Sequence, residues 1–146
     1  MAITTDIIAG FPGETEAEFQ ENLEFVSRMN FSGGHVFTYS ARPGTTAAKM
    51  PHQVPHATRK IRNAALRSVI EKSSKDYRTK FLGNHVTVLW ESAIHLDDDL
   101  WKVGGLTDNY IRVFTRTPHQ IWNQITPVQL TGVIDEGMVG SIINKK

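Results

Sequence analysis

The apolar positions along this chain change period twice. Ile3 to Ala9 is β-branched and mostly apolar, and it runs into the turn signal Gly10-Phe11-Pro12-Gly13, so it reads as a buried strand. Thr15 then opens a helix, and Glu18 three residues later completes a capping box. Glu14 and Glu16 suit the positive end of that helix's dipole. Phe19, Leu23 and Val26 recur at helical spacing and would face a core. Ser32-Gly33-Gly34 stops the unit, and His35 to Tyr39 reads as a second strand. Strand, helix, strand in this order is a βαβ unit, with parallel strands and a right-handed crossover.

Residues 41–56 carry Pro43-Gly44, Pro51 and Pro55 and read as a connector with one short turn at Thr46–Lys49. From His56 to Phe81 the helical period returns. Ile61, Ala65 and Val69 form one stripe, Leu66, Ile70, Tyr77 and Phe81 form an adjacent one, and Gly83 closes the helix. After that the period falls to two. His85–Glu91, Leu100–Val103, Tyr110–Phe114, Val128–Ile134 and Met138–Ile143 are short strand candidates. Asp97-Asp98-Asp99, Gly104-Gly105, Asp108-Asn109 and Asp135-Glu136-Gly137 divide them. This spacing predicts a small antiparallel barrel of the OB type, closed so that no edge is exposed.

Parallel strands need cover on both faces, and two strands with one helix cannot supply it. Residues 1–55 therefore read as the end of a larger α/β domain, residues 56–82 as a basic connecting helix, and residues 83–146 as the β-barrel.

Composition changes this picture little. The chain has 146 residues, 40% hydrophobic and 21% charged, with a net charge of +1. No apolar run approaches the about 18 residues that span a membrane, and the N-terminus lacks the features of a secretory leader. The cytoplasm is the default compartment. There is no cysteine, which excludes disulfides, a cysteine nucleophile and a cysteine-held iron–sulfur cluster in this chain.

The charge is unevenly spread. Asp6, Glu14, Glu16, Glu18, Glu21 and Glu24 face only Arg28 in the first thirty residues. Arg59, Lys60, Arg62, Arg67, Lys72, Lys75, Arg78 and Lys80 face only Glu71 and Asp76 in the long helix. A polyanion would be drawn to the second segment.

Several stretches resemble a known family. Thr5 to Thr15 looks like a late barrel strand of the radical-SAM tRNA methylthiotransferases, and Tyr39 to Thr45, then Ala47-Ala48 and Met50, like the next strand and its loop. Gln53-Val54-Pro55 before a basic helix also matches. Gly104 to Tyr110, Thr126 to Thr131 and Gly137-Met138-Val139-Gly140 resemble the family's terminal TRAM domain. The Asp-Asn-Tyr and Thr-Pro-Val patterns are closest to the subgroup that acts on threonylcarbamoyladenosine. The resemblance implies methylthiolation of carbon 2 of a modified adenosine beside the tRNA anticodon. It also implies S-adenosylmethionine and two 4Fe-4S clusters as cofactors, whose cysteine ligands would lie in a missing upstream part of the enzyme. The chain alone would then be inactive.

The resemblance sets Gly10, Pro12, Gly13, Tyr39, Ser40 and Arg42 on the S-adenosylmethionine side of the barrel. The plainer reading of Gly10–Thr15 is a tight strand-to-helix turn, and Arg42 suits a bidentate anion contact and a loop anchor equally. For RNA, the candidates are Arg59, Lys60, Arg62 and Arg67 on the helix, and Lys102, Tyr110 and Arg112 on the barrel. Phe114 and Arg116 are further candidates for stacking and phosphate contact, while Trp101 and Trp122 stay unassigned, since aromatics in so small a barrel are more often core. Alternation puts Tyr110, Arg112 and Phe114 on one strand face. The six histidines are scattered, and Asp97-Asp98-Asp99 reads as a hairpin turn, not a cation site. The rival to an incomplete enzyme is a stand-alone TRAM-type RNA-binding module without catalysis.

Overall fold

The computed structural model describes residues 1–96 and 99–143; Asp97 and Asp98 of the expected hairpin turn lie outside the described residues. The chain divides into two compact units, one of residues 3–77 and one formed mainly by residues 78–146.

In the first unit, β1 (Thr4–Ala9) and β2 (Gly33–Thr38) pair in parallel, with Ile7 opposite Val36 and Ala9 opposite Thr38. The helix α1 (Glu16–Met29) connects them. Its capping box is formed: the Glu18 amide donates to Thr15 Oγ1, and Glu18 Oε2 accepts from the Thr15 amide at 2.8 Å. Asn30 ends the helix in the left-handed conformation, a role that asparagine tolerates. A short α2 (Thr46–Lys49) follows, then the long α3 (His56–Thr79).

The helix α3 shares the βαβ core. Its Leu66 and Ile70 are buried with Ala9, Phe19, Val26 and Phe31. Ala65 and Val69 pack against that cluster, whereas Ile61 of the expected stripe is exposed. Two helices thus cover the sheet face that carries Ile7 and Val36. On the opposite strand positions Ile8 and Phe37 are each 53% exposed. Asp6 and His35 pair beside them, with Nδ1 of the histidine 3.1 Å from Oδ1.

The second unit is a closed barrel of β3 (His85–His95), β4 (Trp101–Thr107), β5 (Arg112–Thr117), β6 (Ile125–Ile134) and β7 (Gly137–Ile142), in the order β3-β4-β5-β7-β6. Val88, Trp90, Val103, Val113, Val128, Leu130 and Met138 are fully buried in it. The Trp90 indole satisfies its buried N–H by donating to Thr126 Oγ1 at 2.8 Å.

The barrel differs from the sequence expectation in three respects. Gly104 and Gly105, expected to divide two strands, lie inside β4. The barrel is mixed, since β5 and β7 run parallel, joined at Val113–Met138 and Phe114–Val139. Closure of five strands through a crossover requires that one pair. Tyr110 is also not in a strand. It sits in the β4–β5 turn with φ +61°, so strand alternation does not govern where its side chain points.

Candidate nucleic-acid interface and strand-end loops

At the C-terminal end of β1, Gly10 takes φ +73°, and a side chain there would run into Cγ of Arg59. Only glycine lets the backbone turn and the arginine pass this closely. The Gly10 amide donates to Glu14 Oε2 at 3.0 Å, so a carboxylate of the chain itself fills this N–H. Pro12 is buried, and the Gly13 amide donates to the His52 carbonyl at 3.0 Å. The turn before α1 is therefore satisfied internally.

Tyr39, just past β2, is 8% exposed, and its ring meets Phe11 edge-on at 5.4 Å. Its hydroxyl is buried without a hydrogen-bond partner. Ser40 and Arg42 are exposed. The Arg42 carbonyl accepts from Thr45 Oγ1 at 2.8 Å, so its backbone holds the loop while its side chain faces solvent.

The four helix bases expected to meet RNA separate into two pairs. Lys60 and Arg67 are exposed, Arg67 with Glu71 at 3.5 Å. Arg59 turns inward and donates to the Tyr39 carbonyl at 2.5 Å. Arg62 is 5% exposed. Its Nη1 donates to the Glu14 carbonyl at 2.9 Å and to Glu14 Oε2 at 2.7 Å, and its Nη2 to Glu16 Oε2 at 3.0 Å. The guanidinium also lies 5.1 Å from the Phe19 ring centre. Burial pushes the Arg62 pKa down, but the bonds to Glu14 and Glu16 outweigh that and raise it. A phosphate reaching Arg62 would have to displace two carboxylates. The signal for this was in the spacing: Arg62 stands four, eight and eleven positions before Leu66, Ile70 and Ser73, all buried.

On the barrel, cross-strand pairing gathers a different set. Lys102 lies opposite Arg116, Gly104 opposite Phe114, and Leu106 opposite Arg112. Val103, Val113 and Thr117 on the alternate positions are buried, so Lys102, Arg112, Phe114 and Arg116 share the outer face of β4 and β5. Gly104 is the floor of this face: a methyl group there would press on the Phe114 ring at 3.2 Å. The Lys102 ammonium is 5.7 Å from the centre of that ring, a cation–π contact.

Tyr110, 78% exposed, projects from the adjoining turn. The turn is pinned by Thr107, whose hydroxyl accepts from the Ile111 amide at 2.9 Å and donates to Asn109 Oδ1 at 2.5 Å. The structure thus brings three cations and an aromatic ring to one face, and the exposed Tyr110 stands in the turn that leads into β5. Trp122, 60% exposed, is tied by its indole N–H to the Glu91 carbonyl, and Trp101 stacks edge-on against His95.

The residues present do not fit an iron–sulfur cluster. There is no cysteine in the sequence, and among the described residues no three His, Asp or Glu gather as metal ligands. Among the described residues no helix is long and apolar enough to cross a membrane.

No family model matches the chain. Individual proteins do. It is 34% identical to threonylcarbamoyladenosine tRNA methylthiotransferase MtaB of Bacillus subtilis over 130 residues, 89% of this chain and 29% of that protein. It is 36% identical to tRNA-2-methylthio-N(6)-dimethylallyladenosine synthase of Acetivibrio thermocellus over 143 residues, 98% of this chain and 29% of that protein. Against MtaB of Thermotoga maritima the identity is 46% over 90 residues, 62% of this chain and 21% of that protein. Both names recur at comparable identity, so similarity alone does not separate the two adenosine subgroups. The chain spans about a third or less of the length of these relatives. Over almost its whole length, then, the chain is similar to the tRNA methylthiotransferases, matching a segment of about a third or less of theirs.

Proposed function

We propose that this chain is the tRNA-engaging end of a tRNA methylthiotransferase that modifies carbon 2 of an adenosine beside the anticodon. Residues 1–55 complete a radical-SAM barrel, residues 56–82 form the basic helix, and residues 83–146 form a TRAM domain of the OB type. The strand order β3-β4-β5-β7-β6 supports the OB reading, because OB barrels bind oligonucleotides on the outer face of their second and third strands. Here those strands are β4 and β5. The single observation that carries the proposal is the set Lys102, Arg112, Phe114 and Arg116 on that face.

S-adenosylmethionine and the clusters belong to the complete enzyme, which works in the cytoplasm. Gly10, Pro12, Gly13, Tyr39, Ser40 and Arg42 would border the S-adenosylmethionine, with the buried Tyr39 hydroxyl as the polar atom still open to a partner. When bound, that group supplies the radical chemistry, and the residues of this chain bind and orient. The threonylcarbamoyl form of adenosine is the favoured substrate, on the Asp108-Asn109-Tyr110 and Thr126-Pro127-Val128 patterns. A free-standing binding module is disfavoured, because similarity to the enzymes runs through 98% of the chain.

Binding of tRNA to the chain, measured across a salt series, tests this. Each lost phosphate contact flattens the slope of log K against log salt by about 0.7 to 0.9. Arg112→Ala and Lys102→Ala should each do so, as should Lys60→Ala on the helix, while Arg28→Ala on the acidic helix leaves the slope alone. Unchanged slopes in the first three variants would overturn the proposal.

A further inference from the structure

Between β4, β5, β7 and the β6–β7 turn lies an open groove of about 340 Å³. That lies within the range of small-molecule sites. Phe114, Val139 and Ile134 line its apolar part, and Lys102, Arg116 and Glu136 bring charge. We infer that this groove takes one unpaired nucleotide, its base on the Phe114 ring and its phosphate between Lys102 and Arg116. The inference rests on the RNA-binding reading above and goes beyond it by naming the subsite and the strand state of the RNA.

Three observations support it. First, the ring is backed by Gly104, where a side chain would press on both Phe114 and the Ser92 hydroxyl, so the aromatic is held against the strand and turned to the groove. A ring fixed in this way is the platform on which an unstacked base can lie.

Second, the cover on the ring is a lysine ammonium 5.7 Å from its centre. A lysine stem is flexible, so Lys102 can leave the ring for a phosphate as a base arrives. One side chain thus serves as a lid in the free protein and an anchor in the complex.

Third, the groove mixes signs. Glu136 repels a bare phosphate backbone, and only a ligand that also brings hydrogen-bond donors is tolerated beside it. The edge of an unpaired base carries such donors, whereas in a duplex the pairing edge is already occupied. An apolar peptide segment would use the floor but leave both cations unmatched.

The test uses the full chain with a labelled single-stranded RNA oligonucleotide and a blunt RNA duplex of the same length, each titrated across a salt series. The single strand should bind tighter than the duplex. Phe114→Leu should weaken the single strand roughly tenfold or more at every salt concentration, with the slope unchanged, because stacking is not ionic. Phe114→Tyr should bind as the parent does; if Phe114→Leu fails to fold by circular dichroism, Lys102→Ala and Arg116→Ala decide, and unchanged slopes in both overturn the inference. Lys102→Ala should flatten the slope by about 0.7 and lose less affinity at high salt than at low.

If the chain binds RNA but Phe114→Leu and Lys102→Ala leave affinity and slope untouched, the groove is not the site, and the broader reading then stands on flattened slopes in Arg112→Ala and Lys60→Ala. If the parent binds the duplex as well as the single strand, the inference is overturned. If the parent binds neither RNA, the broader reading fails and this one with it.

Discussion

The Arg62 guanidinium meets the Glu14 carboxylate at 2.7 Å in a setting where the two side chains are 6% and 13% exposed. The same Glu14 oxygen accepts from the Gly10 amide, so the turn after β1, the start of α1 and the middle of α3 share one ionic network. Removing one partner strands the other charge. Arg62→Met should cost about 3 kcal/mol or more in urea unfolding, and adding Glu14→Gln should restore part of the loss. If Arg62→Met unfolds at the parent's midpoint, the network contributes nothing.

Acid should loosen the start of α1. The Glu18 carboxyl is held below its usual range by bonds from the Thr15 amide and hydroxyl, and Glu16 by Gln20 and then Arg62. A lowered folded pKa gives stability that is present above the ordinary value of 4.5 and is lost as pH falls through the folded value. Amide exchange at Thr15 should rise in that window. Glu18→Gln should flatten the pH dependence there, since a neutral side chain does not titrate. An equally steep dependence in the variant would refute this.

Gly10→Ala should destabilise the first unit by about 1 kcal/mol or more, because alanine at positive φ is strained and its methyl group would displace Arg59. The displaced arginine would give up the Tyr39 carbonyl. Denaturant titration gives the energy, and a backbone carbon shift at Tyr39 reports the lost bond.

Thr107→Val keeps the shape of a residue that is 5% exposed while removing its hydroxyl. The Ile111 amide would lose its partner, at a cost of about 1–3 kcal/mol. Hydrogen exchange at Ile111 should accelerate, and RNA affinity should fall if Tyr110 stacks from that turn. Unchanged protection of Ile111 would mean that the turn is held by its backbone bonds alone.

Much of the local structure was legible because it depends on neighbours in sequence. Thr15 and Glu18 announce the cap, and Thr46–Lys49 matches α2 residue for residue. The strands of the second unit were found, with β4 running further than its apolar residues suggest. Gly104 and Gly105 look like a turn but sit mid-strand, since the side chains of Phe114 and Val88 occupy the space above them.

What was not legible depends on distance or on backbone strain. A left-handed Tyr110 carries no mark in the sequence, because the bonds to Thr107 that hold it come from the fold. The parallel pairing of Phe114 with Val139 joins residues 25 apart, so the groove beside it, with Ile134 and Glu136, could not be seen along the chain. Arg62 was masked by its own chemistry: its spacing to Leu66 and Ile70 puts it on the buried face, but a guanidinium on a basic helix reads as solvated until Glu14 and Glu16 are found against it.

The pairing of β5 with β7 has a mechanical consequence. Each antiparallel seam of the barrel is stitched over five or more residue pairs, but this parallel seam has only two, and one of them is Phe114–Val139. It is the weakest stave joint, the place where the cylinder gapes at the least cost. A molecule settling on Phe114 and Val139 together would bridge that joint like a clasp. By mass action the barrel would then melt later with each increment of ligand, so a binding event on its outside would be recorded as the tightness of its wall.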